Sequence, residues 1–281
     1  MKSPEDYCSV YDGASVANFG FSVLITLGII ASYIPQYLRI KEKRTSEGLS
    51  TNFLLLGSCS SIFTFTNIIL VSSRARQCCF SGQLTLFNCL NSQLNLIQIG
   101  IQCLCALLIL VFVLILTRYS DKQDHEEYKK IVTVGHWVTL HGVISLLQIL
   151  FAVVMNDHGL LLSIANLNGL LSTVLTMVKY APQIHTTYRL KHPGTLSIGM
   201  MCIQTPGGFL FTFTLMYTKG SHWSSWISYM TAAILQGCLL SLCIYYEYFR
   251  DHGLAAEIAE RREVDRIVEE NTREGSPLIH H

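Results

Sequence analysis

Long apolar runs dominate this sequence and leave few folds open to it. Half of its 281 residues are hydrophobic and only 14% are charged, and the apolar residues gather into continuous stretches. A helix needs about 20 mostly apolar residues to cross the hydrocarbon of a bilayer. Such stretches occur near residues 17–38, 50–72, 93–117, 131–155, 160–183, 196–218 and 224–247. The sequence therefore predicts an all-α membrane protein with seven transmembrane helices.

The distribution of lysine and arginine predicts the orientation, because basic residues in short loops stay on the cytosolic side. Residues 1–16 lack the basic start and cleavage site of a signal peptide, so we expect the first span to act as its own signal. With a lumenal N-terminus, the lumenal side keeps only Lys2, Arg74, Arg76 and Lys219. The cytosolic side then carries Arg39, Lys41, Lys43, Arg44, Arg118, Lys122, Lys129, Lys130, Arg189, Lys191, Arg250, Arg261, Arg262, Arg266 and Arg273. No basic cluster with interleaved aromatic residues indicates nucleic-acid binding.

The sequence repeats itself once, and the repeat predicts the architecture. The motifs YIPQ at 33–36 and YAPQ at 180–183 lie 147 positions apart, and Leu-Ser pairs at 49–50 and 196–197 share that offset. Three spans per half leave the fourth as a connector, and an odd connector makes the halves parallel, a 3+1+3 arrangement. The predicted units are a lumenal N-terminal segment 1–16, a first repeat 17–117, a cytosolic loop and linker helix 118–155, a second repeat 156–249 and a cytosolic tail 250–281.

Each Pro-Gln pair predicts a hinge near the end of its span. Proline removes an amide donor and frees the carbonyl four residues back, which kinks a helix. In lipid the freed carbonyl needs a donor or a wet cavity, and the neighbouring glutamine is suited to donate. The alternative is a proline that only terminates its helix. The predicted hinge residues are Pro35, Gln36, Pro182 and Gln183.

The segments YIPQYLRI…TSEGLS and KYAPQIHTTYRL…GTLS resemble the duplicated motif of PQ-loop proteins. That group includes cystinosin, the vacuolar and lysosomal cationic amino-acid exporters and, more distantly, the SWEET sugar facilitators. The resemblance covers residues 17–247 and implies two three-helix bundles joined by a linker helix, a central solute path and Pro-Gln hinges used in alternating access. It leaves the substrate open, because the group also has members linked to lipid scrambling and to dolichol-sugar use.

Polar side chains at membrane depth are costly and usually face a bundle interior, so they nominate a solute path. Lys179 precedes the second Pro-Gln motif, as a lysine does in cystinosin-like proteins, and a cavity-facing Lys179 favours a carboxylate-bearing substrate. The alternative is a lysine that reaches back to the membrane surface. Asn91, Asn95, Gln98 and Gln102 form a stripe of amides on one face of the third span. We interpret Asn91 and Gln102 as helix-packing residues and the deeper Asn95 and Gln98 as path residues. The predicted path residues are Asn95, Gln98, Asn166, Lys179, Gln204 and Gln236.

Acidic residues are missing from most of the spans. There is no Asp or Glu between Glu47 and Asp121, or between Asp157 and Glu247. Cystinosin-like relatives have acids linked to proton coupling in the sixth and seventh spans, and the resemblance of SIGMMCIQTPGG to their motif puts Gln204 at the first of those positions. A looser match puts Gln236 at the second. Because glutamine does not titrate, the sequence argues against proton coupling by that route.

Four of the ten cysteines share the predicted lumenal side, where disulfides form. One or two bridges are expected among Cys8, Cys78, Cys79 and Cys89, and the pairing is left open. The other six cysteines fall within spans and are interpreted as packing residues. No set of residues has the spacing of a metal site, and we expect no cofactor.

The tail and the spans together predict a function in an internal membrane. Glu274, Leu278 and Ile279 resemble an acidic dileucine sorting signal, which adaptors in the cytosol read, and favour a vacuole or lysosome over the plasma membrane. Golgi or endosome is the alternative location. We predict a transporter of a small polar solute, an amino acid or related metabolite. The alternatives are a lipid scramblase or regulator of lipid asymmetry, indicated by Ser58, Ser61, Thr64 and Asn67 along the second span, and a solute-sensing transceptor. No pair of residues suited to enzyme chemistry is apparent.

Overall fold

A computed structural model of the chain describes residues 8–13, 15–44, 51–118, 120, 124–155, 157–191 and 198–250. Throughout these ranges the regular structure is helical. The helices are α1 (Val16–Lys43), α2 (Thr51–Val71), α3 (Ser73–Phe80), α4 (Leu86–Leu116), α5 (His125–Met155), α6 (His158–Leu190), α7 (Ile198–Tyr217) and α8 (Trp223–Ile244), with a 3-10 turn at Ser9–Tyr11 and a π-helical turn at Tyr245–Arg250.

Six of these helices are long and apolar enough to cross a membrane: α1, α2, α4, α5, α6 and α8. The chain is therefore a multi-pass helical membrane protein. Helix α7 has 20 residues, includes Pro206 and is not among the six. The count of seven spans stays a prediction.

The two halves pack their helices in the same order. In the first half α4 contacts both α1 and α2, and in the second half α8 contacts both α6 and α7. The third helix of each half thus lies between the other two. Across the halves α2 packs along α6, whereas α1 and α7 touch only slightly, and α5 packs mainly on α2. The halves therefore pack much more closely at α2 and α6 than at α1 and α7.

The prolines lie inside their helices and do not end them. Helix α1 continues past Pro35 to Lys43, and α6 continues past Pro182 to Leu190. Each helix ends on a left-handed residue, Arg44 at φ 50° and Lys191 at φ 54°. Their amides donate to carbonyls four residues back at 3.0 and 2.9 Å. Termination at the prolines is wrong, because proline removes one hydrogen bond and the helix resumes beyond it.

We name the two ends of the bundle by their residues. The basic end is where α1, α4, α6 and α8 finish, and it carries Lys41, Lys129 and Arg189. The disulfide end lies opposite, where the structure joins Cys8 to Cys78 and Cys79 to Cys89.

A buried hydroxyl seam joins α2, α6 and α8. The Ser172 hydroxyl lies 2.8 Å from the Ser60 hydroxyl, 2.6 Å from that of Thr64 and 2.8 Å from that of Ser228. Nearer the disulfide end, Asn67 Nδ2 donates to the Ala165 carbonyl at 2.7 Å. Hydrogen bonds between helices replace water where lipid offers none. The seam therefore fixes the contact between the two halves.

The residues before α1 bridge both halves at the disulfide end. Cys8 is bonded to Cys78 on α3, and the Asp12 carboxylate accepts from Asn88 Nδ2 on α4 at 3.0 Å. The Asp12 carbonyl accepts from Lys219 Nζ at 2.9 Å, beyond α7. We call residues 8–13 the strap.

Candidate functional site

A central cavity of about 910 Å³ lies between the two halves. Helices α1, α2 and α4 of the first half and α6, α7 and α8 of the second all contribute to its wall. It extends along the bundle to Ile40 and Glu127 at the basic end. A volume of this size is typical of a small-molecule site.

An apolar floor cluster closes the cavity toward the disulfide end. Phe211 and Tyr229 meet there edge to face, with ring centroids 4.9 Å apart. The floor cluster draws on both halves, so the halves pack against each other at this level. Its members are Ile68, Ile99, Phe211 and Leu215, with Ile25, Ile29, Phe65, Leu96, Trp226 and Tyr229 packed against them.

A tyrosine and a glutamine lie on the cavity wall in each half. Tyr33, from the first Pro-Gln motif, and Gln102 on α4 both line the cavity. Tyr180, from the second motif, donates to Gln236 Oε1 on α8 at 3.4 Å. Gln236 Nε2 in turn donates to Gln204 Oε1 at 3.0 Å. Each motif thus places an amide and a hydroxyl at the cavity, which suits hydrogen bonding to a polar solute.

Lys179 brings a positive charge to the same wall. Its ammonium nitrogen lies 4.6 Å from the centroid of the Tyr180 ring and 5.0 Å from that of Phe53, which is cation-π distance. A Cβ at Gly57 would contact the Lys179 stem at 3.8 Å, so this glycine leaves the stem room. Lys129 pairs with Glu126, whereas Lys179 has no carboxylate partner among the residues that the structure describes. An anionic group is the complement that it lacks.

Five of the predicted hinge and path residues line the cavity, and the prolines lie outside it. Pro35 and Pro182 are exposed, on the outer side of α1 and α6, and are absent from the lining. Because successive helical residues turn by about 100°, each glutamine points inward beside an outward proline. The lining residues from that set are Gln36, Lys179, Gln183, Gln204 and Gln236.

Three of the predicted path residues are not at the cavity. Gln98 is fully buried and donates to the Ser22 carbonyl at 2.8 Å, so it packs α4 on α1. Asn95 and Asn166 are likewise absent from the lining. Gln102, interpreted from sequence as a packing residue, does line it. Depth along a span does not reveal which side of the floor cluster a residue occupies, and this explains the reversal.

The structure also adds residues that the sequence pattern did not nominate. Glu127, at the start of α5, lines the cavity although it precedes the apolar run of its helix. Tyr33 and Tyr229 contribute hydroxyl-bearing rings. The periodicity gave no signal for Glu127, because a connector helix was not expected to reach the path. Ser58, Ser61 and Thr64 face the cavity, whereas Asn67 faces α6.

Two further predictions concern a metal site and the tail. Among the described residues, no group of three or more His, Cys, Asp or Glu side chains is placed to hold a metal ion. The sorting signal, Glu274, Leu278 and Ile279, lies outside the described residues.

The architecture defines a membrane protein built from two like-packed helical halves around one cavity, and comparisons with known proteins agree. The PQ loop repeat sequence family matches residues 17–75 and 164–224, one segment in each half. The chain is 33% identical over 250 residues to "Uncharacterized protein C4C5.03" of Schizosaccharomyces pombe, covering 83% of this chain and 82% of that protein. The chain belongs to the PQ-loop repeat family.

The fold is similar to a solved structure of a eukaryotic SWEET transporter. The TM-score is 0.52 at 14% sequence identity, over 85% of this chain and 99% of the other. At this identity the likeness concerns the fold alone.

Proposed function

We propose that this protein is a carrier that moves a small polar solute across a membrane by alternating access. The observation that carries the proposal is the central cavity, onto which amide and hydroxyl groups of both halves converge. It is closed at the floor cluster and reaches the basic end, the arrangement expected of one of two alternating states. The fold of the SWEET transporter supports this reading.

The proposed carrier has a 3+1+3 arrangement of membrane spans. Helix α7 serves as the seventh span, so that repeats 17–117 and 156–249 each contribute three spans and α5 links them. Pro35, Gln36, Pro182 and Gln183 act as hinges, because a freed carbonyl and a nearby amide let a helix bend without losing every hydrogen bond. We expect no coupling to protons through the sixth and seventh spans, since the lining residues within the second half include no carboxylate.

The substrate carries a carboxylate, as an amino acid or related metabolite does. Lys179 offers a charge without a carboxylate partner in the described residues, beside the Gln204–Gln236 pair. A carboxylate would gain a charge-assisted hydrogen bond from the ammonium and neutral ones from the amides.

Uptake into liposomes by the purified protein and by Lys179→Gln tests the substrate class. We expect the variant to lose at least tenfold in uptake of carboxylate-bearing solutes, because a hydrogen-bonded charge pair contributes about 1.5–3 kcal/mol. Its uptake of the matching amides should change little. Equal loss for acid and amide would remove the carboxylate from the proposal. Lys130→Gln, an exposed lysine at the basic end, is the charge control.

Lipid handling is the second candidate, and the sparse contact between α1 and α7 favours it. Leu24 and Leu210 border the cavity there and are 65% and 51% exposed. A lipid could place its polar headgroup in the cavity and let its acyl chains leave between α1 and α7. Flipping of a fluorescent phospholipid by the same liposomes distinguishes this function from solute transport.

We place the carrier in an endomembrane, the vacuole or lysosome first and Golgi or endosome second, with a lumenal N-terminus and a cytosolic tail. The excess of basic residues at the basic end supports this orientation. Replacement of Leu278 and Ile279 by alanine should move a tagged protein to another membrane. An unchanged location would show that the tail sequence is not a sorting signal.

A further inference from the structure

A second pocket lies on the outer face of the first half, apart from the central cavity. It is a groove of about 550 Å³ where α4 and α5 stand apart over α2. Nine of its lining residues are hydrophobic or glycine, and the tenth is Arg76. The nine are Phe65, Ile69, Leu96, Ile97, Gly100, Ile101, Leu104, Ile149 and Val153.

Arg76 is held in place at one end of this groove. Its Nη1 donates to the Ser72 hydroxyl at 2.7 Å and its Nη2 to the Ile69 carbonyl at 2.6 Å. Burial lowers the pKa of the Arg76 guanidinium, but arginine remains charged in proteins. Two acceptors leave donors of the five unused, and α3 contains no acidic residue. A fixed guanidinium with spare donors suits a phosphate.

The walls of the groove face the membrane and suit an acyl chain. Ile97, Leu104 and Val153 are exposed by 44%, 57% and 55% on helices long enough to span. Arg76 lies on α3, which begins two residues after α2 ends, the depth at which lipid headgroups meet a span. A soluble anion would gain nothing from the nine apolar lining residues. An anionic lipid would bind Arg76 through its phosphate and the apolar walls through its acyl chain.

We propose that this groove binds an anionic phospholipid, with one acyl chain along α4 and its phosphate on Arg76. The site is separate from the central cavity and does not depend on what the cavity transports. The bound lipid would stabilise the first half, because its acyl chain fills the space that α4 and α5 leave over α2.

Native mass spectrometry of the full-length protein in detergent tests the site with phosphatidylglycerol and phosphatidylcholine of equal chain length. We expect one phosphatidylglycerol to be retained preferentially, and Arg76→Gln to weaken that retention about fivefold or more, as for the loss of one basic contact. Lys130→Gln controls for the change in net charge. Equal retention of the anionic lipid by wild type and Arg76→Gln would overturn the proposal.

A second pair of variants tests the groove without touching Arg76. Ile97→Trp fills the groove, whereas Ile115→Trp adds the same ring on α4 at a site that is 64% exposed and outside the lining. Bound phosphatidylglycerol should raise the unfolding temperature of the wild type and of Ile115→Trp. Ile97→Trp alone should lose both the bound lipid and this rise. An equal thermal shift from inorganic phosphate would contradict a lipid site and identify a simple anion site.

Discussion

Gly169 shows how closely α6 and α8 pack within the second half at the level of one residue. A Cβ on Gly169 would overlap the Ser224 carbonyl and lie 2.9 Å from the Ser224 Cβ. Backbone contact of this kind is how polar seams form between helices in membranes. The α2–α6–α8 seam therefore depends on the absence of a side chain at this position.

Gly169→Ala should lower the free energy of unfolding by about 1–3 kcal/mol, because the methyl group has no space. Gly142→Ala is the control, since a Cβ there meets nothing within 4 Å; it should be neutral or stabilising by up to about 1 kcal/mol. Thermal unfolding in detergent measures both. Equal unfolding midpoints for Gly169→Ala and Gly142→Ala would show that the close contact between α6 and α8 at Gly169 does not contribute to stability.

Glu127 gives the second residue-scale prediction. Its carboxylate has no recorded partner in the described part of the chain and lines the cavity that holds Lys179. Repulsion within a Debye length should disfavour anions that lack an amino group. Glu127→Gln should lower the KM for such anions about twofold to threefold and leave the KM for zwitterions nearly unchanged.

Glu126→Gln is its matched control, because Glu126 is one residue away and paired with Lys129 at 2.8 Å. Initial rates of uptake over a concentration series provide both KM values. The same shift in both variants would assign the effect to overall surface charge.

Residue roles were the hardest part to predict from the sequence. The glutamines of the Pro-Gln motifs, Lys179, Gln204 and Gln236 were nominated from the sequence and all line the cavity. The sequence assigned Gln98 to the solute path and Gln102 to helix packing, whereas Gln98 packs on α1 and Gln102 lines the cavity. The two residues share one helical face but lie four residues apart, at the level of the packed floor and of the open cavity. No single-helix pattern contains the position of the floor cluster, which five helices build together.

At the scale of elements, α1 and α6 repeat one another in detail. Both contain a proline, continue eight residues beyond it and end on a left-handed basic residue. The shared offset of 147 residues was visible in the sequence, but the length of helix beyond each proline was not. Proline weakens a helix without specifying whether neighbouring contacts let it resume.

The hinge hypothesis predicts that Pro35→Leu and Pro182→Leu slow transport severalfold at normal protein levels. Each variant restores the missing amide donor and so stiffens the helix, and both side chains are exposed, so leucine fits beside lipid. Ile34→Leu, next to Pro35 and 46% exposed, controls for a changed surface. Unaltered turnover in both proline variants would end the hinge hypothesis.

The strap gives a prediction about the disulfides. Cys8–Cys78 spans a sequence separation of 70, and Cys79–Cys89 one of 10. Loop entropy alone makes them worth about 4 and about 3 kcal/mol. The first bridge also anchors the strap, through which Lys219 joins the second half to Asp12.

Cys8→Ser with Cys78→Ser should therefore lower the unfolding temperature more than Cys79→Ser with Cys89→Ser. Non-reducing gels of the wild type and both double variants verify the pairing. A larger loss from the second pair would show that the strap does not hold the halves together.

At the scale of the whole molecule, two similar halves enclose one cavity that reaches the basic end and stops at the floor cluster. The helical class, the repeat and the family were predictable, because hydropathy and a recurring motif are written along the chain. The unequal contacts of the halves, close between α2 and α6 and sparse between α1 and α7, were not. They follow from side chains that meet only when all the helices are assembled.

The most direct test of the carrier is uptake by purified protein in liposomes. Labelled amino acids and a fluorescent phospholipid are measured side by side, with and without a pH gradient. We predict saturable solute uptake that does not need the gradient, without lipid flipping. Lipid flipping without solute uptake would contradict the account and make the cavity a track for headgroups.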